Sequence, residues 1–160
     1  MTVEKISIIK KPVSEVWKAF CDVNAWGSIF PDVVEAKIDG ELKPGKMFYM
    51  KLKGTVPFLP LSVNPIVIKI EHNKKQTAAQ SASYAIRWKG SGKFGITGIH
   101  DFTFEPFGRR TKGTSYGSTK VVSNEVFSGR FVFLARLLKS RVEKTFELHL
   151  EGLKHYVEGK

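Results

Sequence analysis

Hydrophobic positions along the chain change period twice. Glu4–Lys10 alternates, with Ile6 and Ile8 on one side, and reads as a strand. Pro12 then sits at a helix start, and Val13, Val16, Trp17 and Phe20 follow at helical spacing. Asn24–Pro31 predicts a break and a second short helical turn, with Trp26 and Phe30 facing inward. From Val34 the period falls to two. Val34, Ala36 and Ile38 share one side, as do Phe48, Met50 and Leu52, then Ile66, Ile68 and Ile70. Tyr84, Ile86 and Trp88 continue the pattern, followed by Ile96, Gly98, His100, Phe102 and Phe104, and by Thr119, Val121, Ser123, Glu125 and Phe127. Turn residues separate these runs at Gly40–Gly45, Gly54–Pro60, His72–Gln76, Gly90–Gly95 and Pro106–Gly113. After Gly129 the spacing is helical again. Leu134, Leu137, Leu138, Val142, Phe146, Leu150, Leu153 and Val157 mark one face over about seven turns.

Short loops between consecutive strands require antiparallel pairing. A sheet with one apolar face needs a cover, and the C-terminal helix is the only element long enough to supply it. The prediction is an α+β, helix-grip architecture: a curved antiparallel sheet of about seven strands around a long C-terminal helix, with two short N-terminal helices closing one end. Residues 1–160 are read as a single ligand-binding domain, as the length prior suggests.

Composition narrows the setting more than the function. Hydrophobic residues make up 42% and charged residues 26%, values that exclude wholesale disorder. No apolar run reaches the 18 residues of a membrane span, and the alternating N-terminus is unlike a secretory signal. One cysteine, Cys21, cannot close an internal disulfide, so a cytoplasmic location is expected. The net charge of +11 comes almost entirely from residues 43–120, which hold 14 Lys and Arg against 3 Asp and Glu. Aromatic residues fall opposite the lysines instead of among them, so nucleic acid is not the expected partner. The basic face is read as solvating, with weak contact to an anionic membrane surface as the alternative. Oligomeric state is left open.

Arg87-Trp88-Lys89-Gly90, Gly98–Pro106, Gly113-Thr114 and Ser123–Gly129, with Pro12–Trp17 and Trp26 near the start, carry a resemblance over essentially the whole chain. It resembles the SRPBCC (START and pollen-allergen-like) superfamily, in its polyketide cyclase/dehydrase-type branch. That resemblance implies a hydrophobic cavity between sheet and helix more firmly than it implies any reaction.

Alternation turns Phe48, Met50, Ile68, Tyr84, Ile86, Trp88, Phe102 and Phe104 toward that space, together with Ser123 and Phe127. Leu134, Leu138 and Val142 line it from the helix. Such a lining suits a lipid-like or polyketide-like molecule oriented by a few polar atoms. Access is expected through Gly54–Pro60 and Gly27–Pro31. His100 and Glu125 fall on the inner face of neighbouring strands, where an imidazole beside a buried carboxyl can act as a general acid–base pair or serve as a structural hydrogen-bonded pair. Tyr84 and Ser123 could orient a ligand oxygen or satisfy each other. Three functions follow: a carrier or sensor of a hydrophobic small molecule, a cofactor-free cyclase or dehydratase using His100 and Glu125, and a peripheral membrane or protein-binding module using the basic face. Whether the chain is an enzyme stays open. His72, His100, His149 and His155 lack metal-ligand spacing, and Gly90–Gly95 joins two strands instead of opening a helix, so neither metal nor cofactor is expected.

Overall fold

The strands form two antiparallel sheets joined at a corner. In the computed structural model, which describes residues 1–53, 61–73, 82–91, 95–108, 117–130 and 132–159, β1 (Thr2–Ile9), β5 (Ile66–Asn73), β6 (Ser83–Ser91), β7 (Ile96–Phe107) and β8 (Ser118–Gly129) lie in the order β1-β8-β7-β6-β5. A smaller sheet has the order β2-β3-β4, from Val33–Lys37, Tyr49–Leu52 and Leu61–Val63. The lead-in to β3 ties the two together. Gly45 N–H donates to Val67 O (2.8 Å), Val67 N–H to Lys46 O (2.9 Å) and Phe48 N–H to Pro65 O (3.0 Å). Among the described residues this makes eight strands, close to the expected seven, in two linked sheets.

Two short helices precede the sheets, α1 (Val13–Cys21) and α2 (Trp26–Ile29), with a 3-10 turn at Val23–Ala25 between them. Pro12 caps α1, its carbonyl accepting from Glu15 and Val16 N–H, and Val13, Val16 and Phe20 form the buried face. Trp26 Nε1–H donates to Phe20 O at 2.8 Å, which pairs a buried indole with a free helix-end carbonyl. The C-terminal helix is divided in two, α3 (Val132–Leu137) and α4 (Lys139–Glu158). At the break, Leu138 leaves helical geometry with φ −101° and ψ 13°. Its carbonyl accepts from Arg141 and Val142 N–H, starting α4 afresh. The predicted unbroken stripe therefore fails at Leu137, which is 77% exposed, and holds at Phe146, Leu150 and Leu153.

Three strands depart from the alternation, β1 along its length and β2 and β5 only ahead of an irregularity. In β1, Val3 and Ile9 are buried and Ile6 is exposed. The register pairs Lys5 with Ser123 and Ser7 with Val121, so those residues share the inner face. Lys5 reaches from it to Glu147 of α4 at 2.7 Å. In β2 an irregularity between Val33 and Glu35 buries Val33 and exposes Val34. In β5 a shift between Val67 and Lys69 has the same effect: Val67 is buried and Ile68 is 46% exposed. The extra residue reverses the alternation across it, so that Ala36 in β2 and Ile70 in β5, which follow it, face the core as the spacing predicts.

Outside, much of the charge is paired between neighbouring positions, Lys37 with Glu35, Lys69 with Glu71, and Arg87 with Asp101 at 2.6 Å. No helix among the described residues is long and apolar enough to cross a membrane. Inside, α1 and α2 press Phe20, Trp26 and Phe30 against Phe48, Trp88, Phe102 and Phe104 of the sheets, with Leu150 and Leu153 of α4 completing the core.

Candidate functional site

The antiparallel register lines up the inner face in rows. One row runs Trp88, His100, Glu125, Val3, and the next Ile86, Phe102, Ser123, Lys5. His100 is 6% exposed and Ser123 2%. His100 Nε2 and Ser123 Oγ share a hydrogen bond of 2.8 Å, while Nδ1 lies 3.6 Å from Glu125 Oε2. That second distance allows electrostatic coupling but exceeds a hydrogen bond. Aromatic rings enclose the imidazole: Phe102 stacks at 4.4 Å, Trp88 meets it at 5.1 Å, and Phe146 of α4 stands perpendicular at 4.9 Å.

Glycine makes room for the carboxyl. A Cβ on Gly98 would lie 2.0 Å from Glu125 Oε1, so the acid folds over a position where no side chain fits. Burial then sets both protonation states. It pushes Glu125 up to about 8 from an ordinary 4.5, and holds His100 well below 6.5, with the charge of His149 adding to the second effect. Near neutral pH the pair is a protonated carboxyl beside a free-base imidazole. It can give one proton and accept another. The order serine, imidazole, carboxyl is also that of a nucleophilic relay, but Ser123 is sealed in mid-strand at 2% exposure, and of the three only His100 borders the interior void.

Beside His100 the space between sheet and helix is narrow among the described residues. Phe20, Trp26 and Phe30 fill it from the N-terminal helices, with Phe20 4.8 Å from Phe102 and Trp26 5.7 Å from Trp88, centroid to centroid. What is left is a void of about 30 Å³ bordered by those rings, Met50, His100 and His149. It has room for water and not for a lipid. A larger cleft, about 320 Å³, lies outside between Met47, Ile66, Lys89 and Ser91, and no predicted site residue borders it.

The other predicted lining residues separate into groups. Met50, Trp88 and Phe102 border the void with His100. Phe48, Ile86 and Phe104 are core. Tyr84 stacks on Trp17 at 4.9 Å and His72 at 4.5 Å, two strands away from Ser123, whose hydroxyl is bonded to His100, so the two do not satisfy each other. Ile68 points to solvent, a correction that follows from the β5 irregularity. Phe127, Leu138 and Val142 are half-buried around the α3–α4 junction. The side chain of Leu134 and the predicted entrance at Gly54–Pro60 lie outside the described residues. Cys21 has its thiol pushed up to about 12 by burial, which makes it a poor nucleophile.

Periodicity in the strands did not reveal His149 and Asp32. His149 of α4 is three residues after Phe146 on the same face and packs against Phe30 at 4.9 Å. Its Nε2 meets Asp32 Oδ1, from the turn between α2 and β2, in a largely buried contact. The signal available was helical: position 149 lies within the apolar stripe formed by Phe146, Leu150 and Leu153.

No family model and no curated protein sequence matches the chain. Solved structures do share its fold. A START superfamily protein from Mycobacterium smegmatis superposes with a TM-score of 0.72 at 14% identity, over 99% of this chain and 97% of that one. The Zhui aromatase/cyclase from Streptomyces sp. R1128 gives 0.70 at 16% identity, over 99% and 93%. Norcoclaurine synthase from Thalictrum flavum gives 0.65 at 11%, over 98% and 92%. At such identities the likeness establishes the helix-grip fold, in agreement with the SRPBCC resemblance.

Proposed function

We propose that the interior beside His100 and Glu125 binds a small, flat, largely apolar molecule of polyketide-like character, and that the α3–α4 junction yields to admit it. The observation that carries this reading is the pair itself: a buried imidazole enclosed by aromatic rings, with a largely buried carboxyl 3.6 Å from it. Withdrawing them costs several kcal/mol relative to apolar residues of the same shape. Core packing supplies no reason to bear that cost. The half-buried Phe127, Leu138 and Val142 support an opening there, as do the exposed Phe133 and Leu137 of α3. A ligand of ordinary size needs roughly 300 Å³ or more, so several rings must turn aside. Fold neighbours that include an aromatase/cyclase and norcoclaurine synthase lend general support.

Native mass spectrometry of freshly purified protein, before and after organic extraction, tests this reading together with a 2-naphthol titration followed by tryptophan fluorescence. Trp26 and Trp88 border the void, so occupancy should quench them. A bare mass and an unmoved emission spectrum would end the proposal.

A second reading adds chemistry at the same place, favoured by the opposite displacement of the two pKa values. Glu125 does not border the void, so the step requires the same parting of helix and sheet that admits the ligand: His100 then takes the α-proton of a β-hydroxyketone, Glu125 protonates the departing hydroxyl, and a C=C bond forms as water leaves. Passing the proton from His100 to Glu125 restores the start. The β-hydroxyketone that dehydrates to benzalacetone is a suitable probe. Glu125→Gln and His100→Gln should abolish its conversion while 2-naphthol still binds. Binding with no conversion by the unaltered protein leaves the carrier reading alone.

A further inference from the structure

We infer that His149, held by Asp32, is a second polar contact of the interior site and selects ligands bearing an oxygen at each end of a flat apolar body. This rests on the interior binding reading above. The void is bordered by two imidazoles on opposite walls, His100 from β7 of the sheet and His149 from α4. Phe146 lies edge-on to both, 4.9 Å from His100 and 6.1 Å from His149. A molecule that parts helix from sheet at this level therefore meets one imidazole on each side, with Phe20, Trp26, Trp88 and Phe102 against its faces.

The second imidazole is held much as the first is. Asp32 Oδ1 meets Nε2, and neither atom has any other partner among the described residues. The turn carrying Asp32 is itself anchored: Lys53 N–H donates to Asp32 O at 2.8 Å, and the Lys53 ammonium to Pro31 O at 2.5 Å. Phe30 packs on the ring. The carboxylate holds Nε2, and we assign Nδ1 to the ligand. Asp32 acts through His149 and is a positioning residue.

A ligand with one oxygen uses only one wall and leaves the other imidazole unsatisfied. One with an oxygen at each end satisfies both. The probes are 2-naphthol and 2,6-dihydroxynaphthalene, compared by tryptophan quenching in the full chain. The second should bind about tenfold more tightly, the ratio expected of one added hydrogen bond to a buried partner. His149→Phe should erase that preference, so that the two probes bind within about twofold of each other. Asp32→Asn should reduce the preference, and His149→Gln, which keeps a donor, should retain part of it. Should His149→Phe fail to fold by near-ultraviolet circular dichroism, Asp32→Asn and His149→Gln carry the test. Binding of both probes without preference, or equal weakening of both by every variant, overturns the inference and leaves the interior reading standing. Binding of neither probe overturns both.

Discussion

Glu125 occupies a position that only a missing side chain permits, since Gly98 pairs with Phe127 across the ladder and leaves the space over its own Cα to the carboxyl. Gly98→Ala should therefore expel the acid toward solvent, at a modest cost of about 1 kcal/mol because the far end of a flexible side chain gives way. Its pKa, followed by carbon NMR, should fall from about 8 back toward 4.5. A value that stays near 8 would mean that the glycine is not what seats the acid. The facing of His100 and Glu125 was legible in the sequence, because a period of two holds without interruption along β7 and β8. Ile68 was misread for the complementary reason: the extra residue in β5 has no composition that marks it.

Helix α4 meets α2 at Gly152, where a Cβ would lie 2.2 Å from Ile29 O and 2.9 Å from Pro31 Cδ. Backbone cannot step aside as a side chain can. Gly152→Ala should push the two helices apart and cost about 1–3 kcal/mol, read as a lowered urea midpoint. By contrast Leu137→Ala, on the exposed side of α3, should change stability by under about 0.5 kcal/mol and scarcely move the midpoint, although the sequence stripe ranks Leu137 with Leu150. The stripe was readable as a helix and the break at Leu138 was not. Neither proline nor glycine occurs between Leu134 and Gly152, so the interruption answers to packing and not to any local breaker.

For the molecule as a whole, the two buried groups make stability depend on pH in opposite directions. Glu125, raised from 4.5 to about 8, favours folding while protonated; that contribution is full below pH 4.5 and is lost as pH rises to about 8. His100, held below 6.5, favours folding while neutral, and its contribution is lost as pH falls below 6.5. Below 6.5 the two slopes oppose each other, whereas above 6.5 the Glu125 slope stands alone and stability declines toward pH 8. Urea midpoints from pH 4 to 9 should trace this course, the alkaline limb amounting to on the order of a few kcal/mol. Glu125→Gln should flatten the alkaline limb and leave only the His100 slope below 6.5; an unchanged alkaline limb would rule out the buried acid as its source. By itself the sequence determined the kinds and order of the elements, the antiparallel pairing, the helix-grip wrap, and the inward facing of His100 and Glu125. Each of these follows from spacing within one segment or between chain neighbours. Tertiary structure alone decided that Phe20, Trp26 and Phe30 would fill the hollow, that β1 would turn Lys5 inward, and that Asp32 and His149 would meet. Periodicity is local, whereas those outcomes depend on how much volume remains when segments far apart in the chain compete for the same interior.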